Sequence, residues 1–338
     1  MKLQSFMKQE ALETPAMLRR EAAHWEAQAT TLRAQAASRP QVALIGRGSS
    51  GNACTFASYL MMLKTGRHPV EFRPWVTTQN LPEADWSDTV AYAFSASGHS
   101  VDVSEALRWL KSRGALAVGV TGSDATDIPL LAHADGVFRL NCGPEKAVPA
   151  TKSFTAQLFA AAALAGYPMA QAAEQTAKAM EALVNSDAVD TLATFLQGAR
   201  TVAWLARGPS YAGALDAALK AQESLGLPAV AYSTAEFLHG PIAMFHREDR
   251  VVLFSGADEP MDSKQAVVNT LLSRGVPFIT IGTDTTREAG LPLQLPQDRW
   301  ARTPVLAFLA QLACAELAER MQLNADAPAD LKKVTLTR

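Results

Sequence analysis

The feature that most constrains this sequence is that it repeats itself. Val202 to Leu205 leads into Arg207-Gly208-Pro209-Ser210, as Leu44-Ile45 leads into Gly46-Arg47-Gly48-Ser49-Ser50. Val251 to Phe254 leads into Ser255-Gly256, as Tyr92 to Phe94 leads into Ser95. Gly275 to Thr283 mirrors Gly114 to Gly122. The three correspondences share one offset of about 160 residues, which a tandem duplication of one domain produces. The chain has 338 residues. That leaves room for two moderate cores, because single cores stop growing near ~250–300 residues.

Each half alternates apolar runs with amphipathic stretches. In the first half the runs are Val42–Ile45, Val90–Phe94, Ala115–Val120 and Gly136–Leu140. Short continuous apolar runs between helices predict parallel strands buried on both faces. Residues 1–37 read as helical, with Leu12, Met17, Leu18, Ala22, Trp25 and Ala29 near helical spacing and Ala37-Ser38-Arg39-Pro40 as the stop. A long helical region, 151–198, joins the halves. The expected fold class is α/β: two tandem doubly wound parallel-sheet domains, flavodoxin-like, behind an N-terminal helical segment.

Small hydroxyl residues stand where strands give way to helices. Gly48-Ser49-Ser50-Gly51 is one such turn and Ser95-Ala96-Ser97-Gly98-His99-Ser100 is the next. Ligands of doubly wound sheets sit beyond the carboxyl ends of the strands, where helix N-termini offer free N–H groups to an anion. Serine and glycine before a helix are also ordinary caps and turns. Two such turns in one half favour a phosphate. Gly46-x-Gly48-x-x-Gly51 also fits dinucleotide spacing, with Glu71 as the one candidate ribose-binding acid. No Walker-type Gly-Lys-Ser/Thr is present.

The composition excludes several classes. A formal net charge of -2 gives no basic surface for nucleic acid or an acidic membrane. Three scattered cysteines, Cys54, Cys142 and Cys314, suit buried thiols in a reducing compartment. His24, His68, His99, His133 and His246 form no metal-ligand spacing. Leu158–Ala165, read as the longest apolar stretch, is far short of the ~20 residues that span a bilayer. A soluble cytoplasmic protein is expected, with no metal, no organic cofactor, no nucleic acid and no membrane partner.

These motifs resemble those of the sugar isomerase (SIS) domain family. Gly48-Ser49-Ser50 and Ser95-x-Ser97-Gly98-x-Ser100 resemble its two phosphate-binding turns. Four segments resemble the isomerase half of glucosamine-6-phosphate synthase. They are Gly143–Thr155, Ala214–Glu223, Glu236-Phe237-Leu238-His239-Gly240-Pro241 and the tail Leu331-Lys332-Lys333-Val334-Thr335. The resemblance covers about residues 7–338. It divides the chain into a helical segment (1–37), a first SIS domain (38–167), a helical linker (168–198), a second SIS domain (199–325) and a tail carrying an active-site lysine (326–338). The synthase's glutaminase domain has an N-terminal cysteine nucleophile. Here residue 2 is Lys2, so glutamine-derived ammonia is not expected.

The resemblance therefore implies an amino-sugar phosphate deaminase/isomerase that converts glucosamine 6-phosphate and water to fructose 6-phosphate and ammonia. Its expected catalytic residues are Glu223, moving a proton between C2 and C1, His239, opening the ring, and Lys333, forming a Schiff base. Lys332 stands beside Lys333, and counting along the tail from either end favours a different one. The expected substrate-binding residues are Gly48, Ser49, Ser50, Ser95, Ala96, Ser97, Ser100, Val148, Ala150, Glu236 and Lys332. A homodimer is implied, with His239 serving the neighbouring subunit. Ala96, His99 and Pro149-Ala150 depart from the synthase, where Gln, Glu and Ala-Ser stand. They leave the substrate open between glucosamine, galactosamine and a sugar glycated on an amino acid. The alternatives are a glutamine-independent aminotransferase-like isomerase, a fructosamine-phosphate deglycase, and a non-catalytic sugar-phosphate sensor. The joint presence of Glu223, His239 and Lys333 favours an enzyme.

Overall fold

The computed structural model describes residues 5–79, 83–255, 261–287 and 289–333. Gly256 of the repeat and Val334 and Thr335 of the tail motif lie outside them. The chain forms two compact units, one of residues 17–145, 152–171 and 332–338, the other of residues 1–16, 146–151 and 172–331.

The first unit is built on strands β1 (Gln41–Ile45), β2 (Val70–Glu71), β3 (Thr89–Phe94), β4 (Leu116–Thr121) and β5 (Gly136–Arg139). They form one sheet in the order β2-β1-β3-β4-β5, and every pair is parallel. All six residues of β3 are buried, as a central strand covered on both faces requires. The second unit holds strands β6 (Val202–Ala206), β7 (Ala229–Ser233), β8 (Arg250–Ser255), β9 (Phe278–Gly282) and β10 (Gly290–Pro292). Their order, β10-β9-β8-β6-β7, is the first sheet's order read along the second half. Both are doubly wound parallel sheets of flavodoxin-like order, which accounts for the repeat in the sequence.

The N-terminal segment forms α1 (Phe6–Leu12) and α2 (Thr14–Gln35), broken where Pro15, which lacks an N–H, sits in the opening turn of α2. Helices α3 (Gly48–Thr65) and α4 (Val101–Ser112) follow β1 and β3, and α5 (Lys152–Ala165) follows the loop after β5. All fourteen residues of α5 are buried. Helices α6 (Ala170–Val184) and α7 (Ala188–Leu196) lead to the second sheet. There α8 (Ser210–Leu225), the short α9 (Thr234–Leu238), α10 (Met261–Arg274) and α11 (Arg302–Arg320) complete the set.

Two expectations are corrected or refined here. The apolar stretch that matters is not Leu158–Ala165 but the segment Arg299–Arg320 around α11, which is long and apolar enough to cross a membrane by length and composition. Of its most apolar window 89% is buried inside the protein, so it is accounted for as a core helix. The three cysteines are free and buried. Burial pushes the Cys142 and Cys314 thiols up to about 12 and holds Cys54 well above its ordinary value, so the reactive thiolate is suppressed.

Candidate active site

The first sheet presents its two hydroxyl turns at the carboxyl ends of β1 and β3. After β1 the chain turns at Gly46, where a Cβ would lie 2.6 Å from the carbonyl oxygen of Ser50. Only glycine lets the first turn of α3 approach the strand this closely. Arg47 precedes α3 without capping it through its side chain, so the opening N–H groups of Gly48, Ser49 and Ser50 lack intrahelical partners. Ser50 is oriented by α5: its Oγ accepts a hydrogen bond from Gln157 Nε2 at 2.9 Å. Gln157, which the sequence motifs did not single out, is buried.

The second turn is knitted internally. Ser95 is buried, its Oγ lies 3.1 Å from Ser100 Oγ, and it accepts from the Gly98 N–H at 3.1 Å. The Ser97 hydroxyl accepts from the His99 N–H at 3.2 Å. The Ala96 carbonyl accepts the Gly122 N–H at 2.9 Å, which ties the turn to the end of β4. Ser100 precedes α4 but makes no side-chain cap. The two turns are braced to each other by Arg47 Nε and Asp102 Oδ2, 2.6 Å apart. Arg47 is thereby paired, and neutral hydroxyls and helix N–H groups are what the turns offer an anion.

The tail lysine belongs to the same unit. Lys333 Nζ donates to Glu145 Oε2 at 2.8 Å; it and its neighbour Lys332 both stand at exposed positions. Glu145 also accepts from the Ser153 N–H at 3.1 Å and the Ser153 hydroxyl at 2.6 Å, at the start of α5. Lys152, the first residue of α5, is buried beside them. Glu145 lies within the Gly143–Thr155 segment, whose resemblance gave it no role.

In the second unit, α8 carries Asp216, Lys220 and Glu223 at i, i+4 and i+7, on one helix face. Asp216 and Lys220 are fully buried. The Lys220 ammonium donates to Glu223 Oε2, and the Glu223 side chain keeps 20% of its surface. Glu223 is thus a carboxylate at the margin of a buried charged row, held in place and partly open. Both Lys220 and Asp216 act on Cys314, the lysine lowering its pKa and the aspartate raising it. Gly226, with φ of 60°, ends α8 three residues after Glu223, which fixes Glu223 in the last turn.

His239 follows α9 as its C-terminal cap and is exposed. Its N–H bonds the Glu236 carbonyl at 3.0 Å. The Glu236 side chain is also exposed, so the link between these two residues is made by backbone. Val148 and Ala150 lie on a loop fixed on its N-terminal side. Glu10 accepts the Ala147 N–H at 3.2 Å, and the Val148 N–H bonds the Asp326 carbonyl at 2.8 Å. Among the described residues no group of three or more His, Cys, Asp or Glu is arranged to hold a metal ion.

The profile of the SIS domain matches this chain twice, at residues 36–166 and 195–317. The chain belongs to the SIS domain family. One SIS relative, an isomerising glutamine–fructose-6-phosphate aminotransferase of Caulobacter vibrioides, is 29% identical over 267 residues, which are 72% of this chain and 44% of that protein. The chain spans about half the length of the curated relatives it matches. Among solved SIS structures, the C-terminal domain of glucosamine-fructose-6-phosphate aminotransferase from Francisella tularensis superposes with a TM-score of 0.86 at 20% identity, covering 97% of this chain and 99% of that one. Glucosamine-6-phosphate deaminase from Thermotoga maritima superposes with a TM-score of 0.76 at 20% identity, over 97% of this chain and 100% of the other. At these identities the likeness is one of fold: this chain shares its architecture with the C-terminal domain of that aminotransferase and with that deaminase.

Proposed function

We propose that this SIS protein is an amino-sugar phosphate deaminase that converts glucosamine 6-phosphate and water to fructose 6-phosphate and ammonia. The observation that carries the reading is Glu223. It is a carboxylate partly withdrawn from water, fixed by a fully buried lysine, in a helix of the family's second domain. A base that takes a proton from C2 and returns it to C1 has to be positioned and only partly solvated.

The phosphate is held by the Ser50, Ser95, Ser97 and Ser100 turn hydroxyls with the N–H groups opening α3 and α4, beside Gly48, Ser49 and Ala96. Anchoring at this remote group lowers the entropic cost of the later steps. Val148, Ala150 and Glu236 contact the sugar. His239 gives a proton to the ring oxygen and takes one from the C1 hydroxyl, which opens the ring to the aldehyde. Its exposure suits a role toward a partner subunit in a homodimer. Glu223 then removes the C2 proton and delivers it to C1. With a second proton passing from the C2 amine to the C1 oxygen, the product is a C2 imine with a C1 hydroxymethyl group. Once its pair with Glu145 opens, the Lys333 amine adds to C2 of the imine, the bond to the substrate nitrogen breaks, and ammonia leaves. Water then adds to C2 of the lysine Schiff base, and cleavage of that carbon–nitrogen bond frees the ketose and restores the amine.

The test is a coupled assay for ammonia and fructose 6-phosphate, with glucosamine 6-phosphate, galactosamine 6-phosphate and a fructosamine phosphate as separate substrates. Stoichiometric release of both products from glucosamine 6-phosphate is expected. No ammonia at saturating substrate refutes the proposal.

A further inference from the structure

The contact between Lys333 and Glu145 is unusually well supported from one side. The Glu145 side chain is 5% exposed, against 32% for Lys333. Its carboxylate is locked by two bonds from Ser153, one from the backbone N–H at 3.1 Å and one from the hydroxyl at 2.6 Å. Ser153 lies in the first turn of α5, so this carboxylate also faces the positive end of a fourteen-residue helix. An anion that is nearly out of water, with fixed geometry, strongly prefers a cation on its open side. Lys333 supplies one at 2.8 Å. Lys332 and Lys333 are both exposed, but among the described residues it is Lys333 that is placed against a preformed acceptor.

We infer that Glu145 is the positioning residue for the tail lysine: it selects Lys333 over Lys332 and holds its ammonium at the start of α5 until the sugar arrives. The inference rests on the reading above that Lys333 is the amine that adds to C2 of the imine. Glu145 has no sugar atom assigned to it and acts through Lys333. Its effect therefore falls on the step that uses the amine and leaves phosphate anchoring alone.

The test is competitive acylation of the ligand-free full chain with a limiting N-hydroxysuccinimide ester, the two tail lysines being resolved by peptide mass spectrometry. Lys332 serves as the internal reference. Lys333 should react about tenfold more slowly than Lys332, because an amine in a charge-assisted hydrogen bond must first leave it. In Glu145→Gln the ratio should approach one. Glutamine keeps an acceptor for Ser153, and unchanged circular dichroism would verify that α5 still starts correctly. In the same variant kcat should fall about tenfold, with KM for the sugar phosphate unchanged. Equal labelling of the two lysines in the parent protein overturns the inference, and this needs no variant that might fail to fold. So does a labelling ratio that Glu145→Gln leaves unchanged, or a variant that raises KM and spares kcat. If the parent protein releases no ammonia from any amino-sugar phosphate, the deaminase reading fails while the labelling ratio still tests the docking of Lys333.

Discussion

Three glycines at dinucleotide spacing, Gly46, Gly48 and Gly51, sit in very different surroundings, so alanine substitution should rank them by local geometry. At Gly46 a Cβ would lie 2.6 Å from the Ser50 carbonyl oxygen, 2.7 Å from its carbon and 2.9 Å from Cys54 Sγ. Two of these atoms are helix backbone and cannot rotate away. Relief requires the first turn of α3 to lift off β1, and overpacking of this kind costs ~1–3 kcal/mol. We place Gly46→Ala at the upper end, about 2–3 kcal/mol, because backbone yields less than a side chain. Gly48 has a φ of 52°, and forcing alanine into the left-handed region costs ~1–2 kcal/mol. At Gly51, inside α3, the nearest atom is the Gly46 carbonyl oxygen at 3.4 Å. That is ordinary contact, and alanine there should be neutral or should stabilise by up to ~1 kcal/mol through helix propensity. Urea titration of the three variants checks the order. With a slope of ~2 kcal/mol/M, Gly46→Ala should lower the midpoint by roughly 1 M. Gly46→Ala should also weaken fructose 6-phosphate binding, because it moves the N–H groups and the Ser50 hydroxyl assigned to the phosphate. The reasoning is refuted if Gly46→Ala unfolds at the parent's midpoint, or if Gly51→Ala is the most damaging of the three.

Other expectations follow from the same structure. Glu223→Gln should abolish turnover, while stabilisation against heat by fructose 6-phosphate survives; turnover at the parent rate would remove Glu223 as the base. Lys220→Met should destabilise by ~3–5 kcal/mol, because it withdraws the ammonium from a helix face that buries Asp216, and a melting temperature within a degree or so of the parent's would contradict this. At the second sheet, burial pushes the Asp249 carboxyl up, but the Arg200 hydrogen bond, the His246 N–H and the charge of Arg200 outweigh it, and its pKa is lowered. A lowered folded-state value means that stability from Asp249 is present above the unfolded carboxylate range and is lost as pH falls through the folded value. Asp249→Asn should therefore flatten the acid limb of a stability–pH curve below about pH 4, and an acid limb as steep as the parent's would count against it.

The fold was legible because buried parallel strands write themselves as unbroken apolar runs. Val90–Phe94 and Val251–Phe254 needed no alternation to be recognised, and their common offset exposed the duplication. The edge strands left no such trace. Val70–Glu71 is two residues long and its Val70 side chain is half exposed, so hydrophobic burial writes nothing there. The hydroxyl turns could be read from serine and glycine at strand ends, but Gln157, which orients Ser50, stands 107 positions away. Lys220 and Asp216 were hidden for a different reason. Charged residues are almost never fully buried unless paired, so a lysine and an aspartate on α8 read as a solvated face until their burial is seen. The Glu145–Lys333 pair spans 188 positions, and no local pattern announces it.

Duplication supplied two equivalent strand ends, and the repeat in the sequence makes them look alike, with Phe94-Ser95 answered by Phe254-Ser255. The side chains around the two serines divide them. Ser95 shares its hydroxyl with Ser100, a neutral group at the helix start. Ser255 donates to the Asp284 carbonyl, and the buried Lys264 donates to the Ser255 hydroxyl at 3.3 Å and to the Asp284 carbonyl and carboxylate. An anion at Ser255 would have to displace a carboxylate from its own lysine, and the like charge of Asp284 would oppose it. At Ser95 the hydroxyl is bonded to the neutral Ser100, and the nearby Asp102 carboxylate is already paired with Arg47. The same strand end thus carries a receptive turn in one sheet and an internally satisfied ion pair in the other. The difference was set by Lys264 and Asp284, which lie 9 and 29 positions beyond the serine and outside every segment that the repeat aligns as a turn.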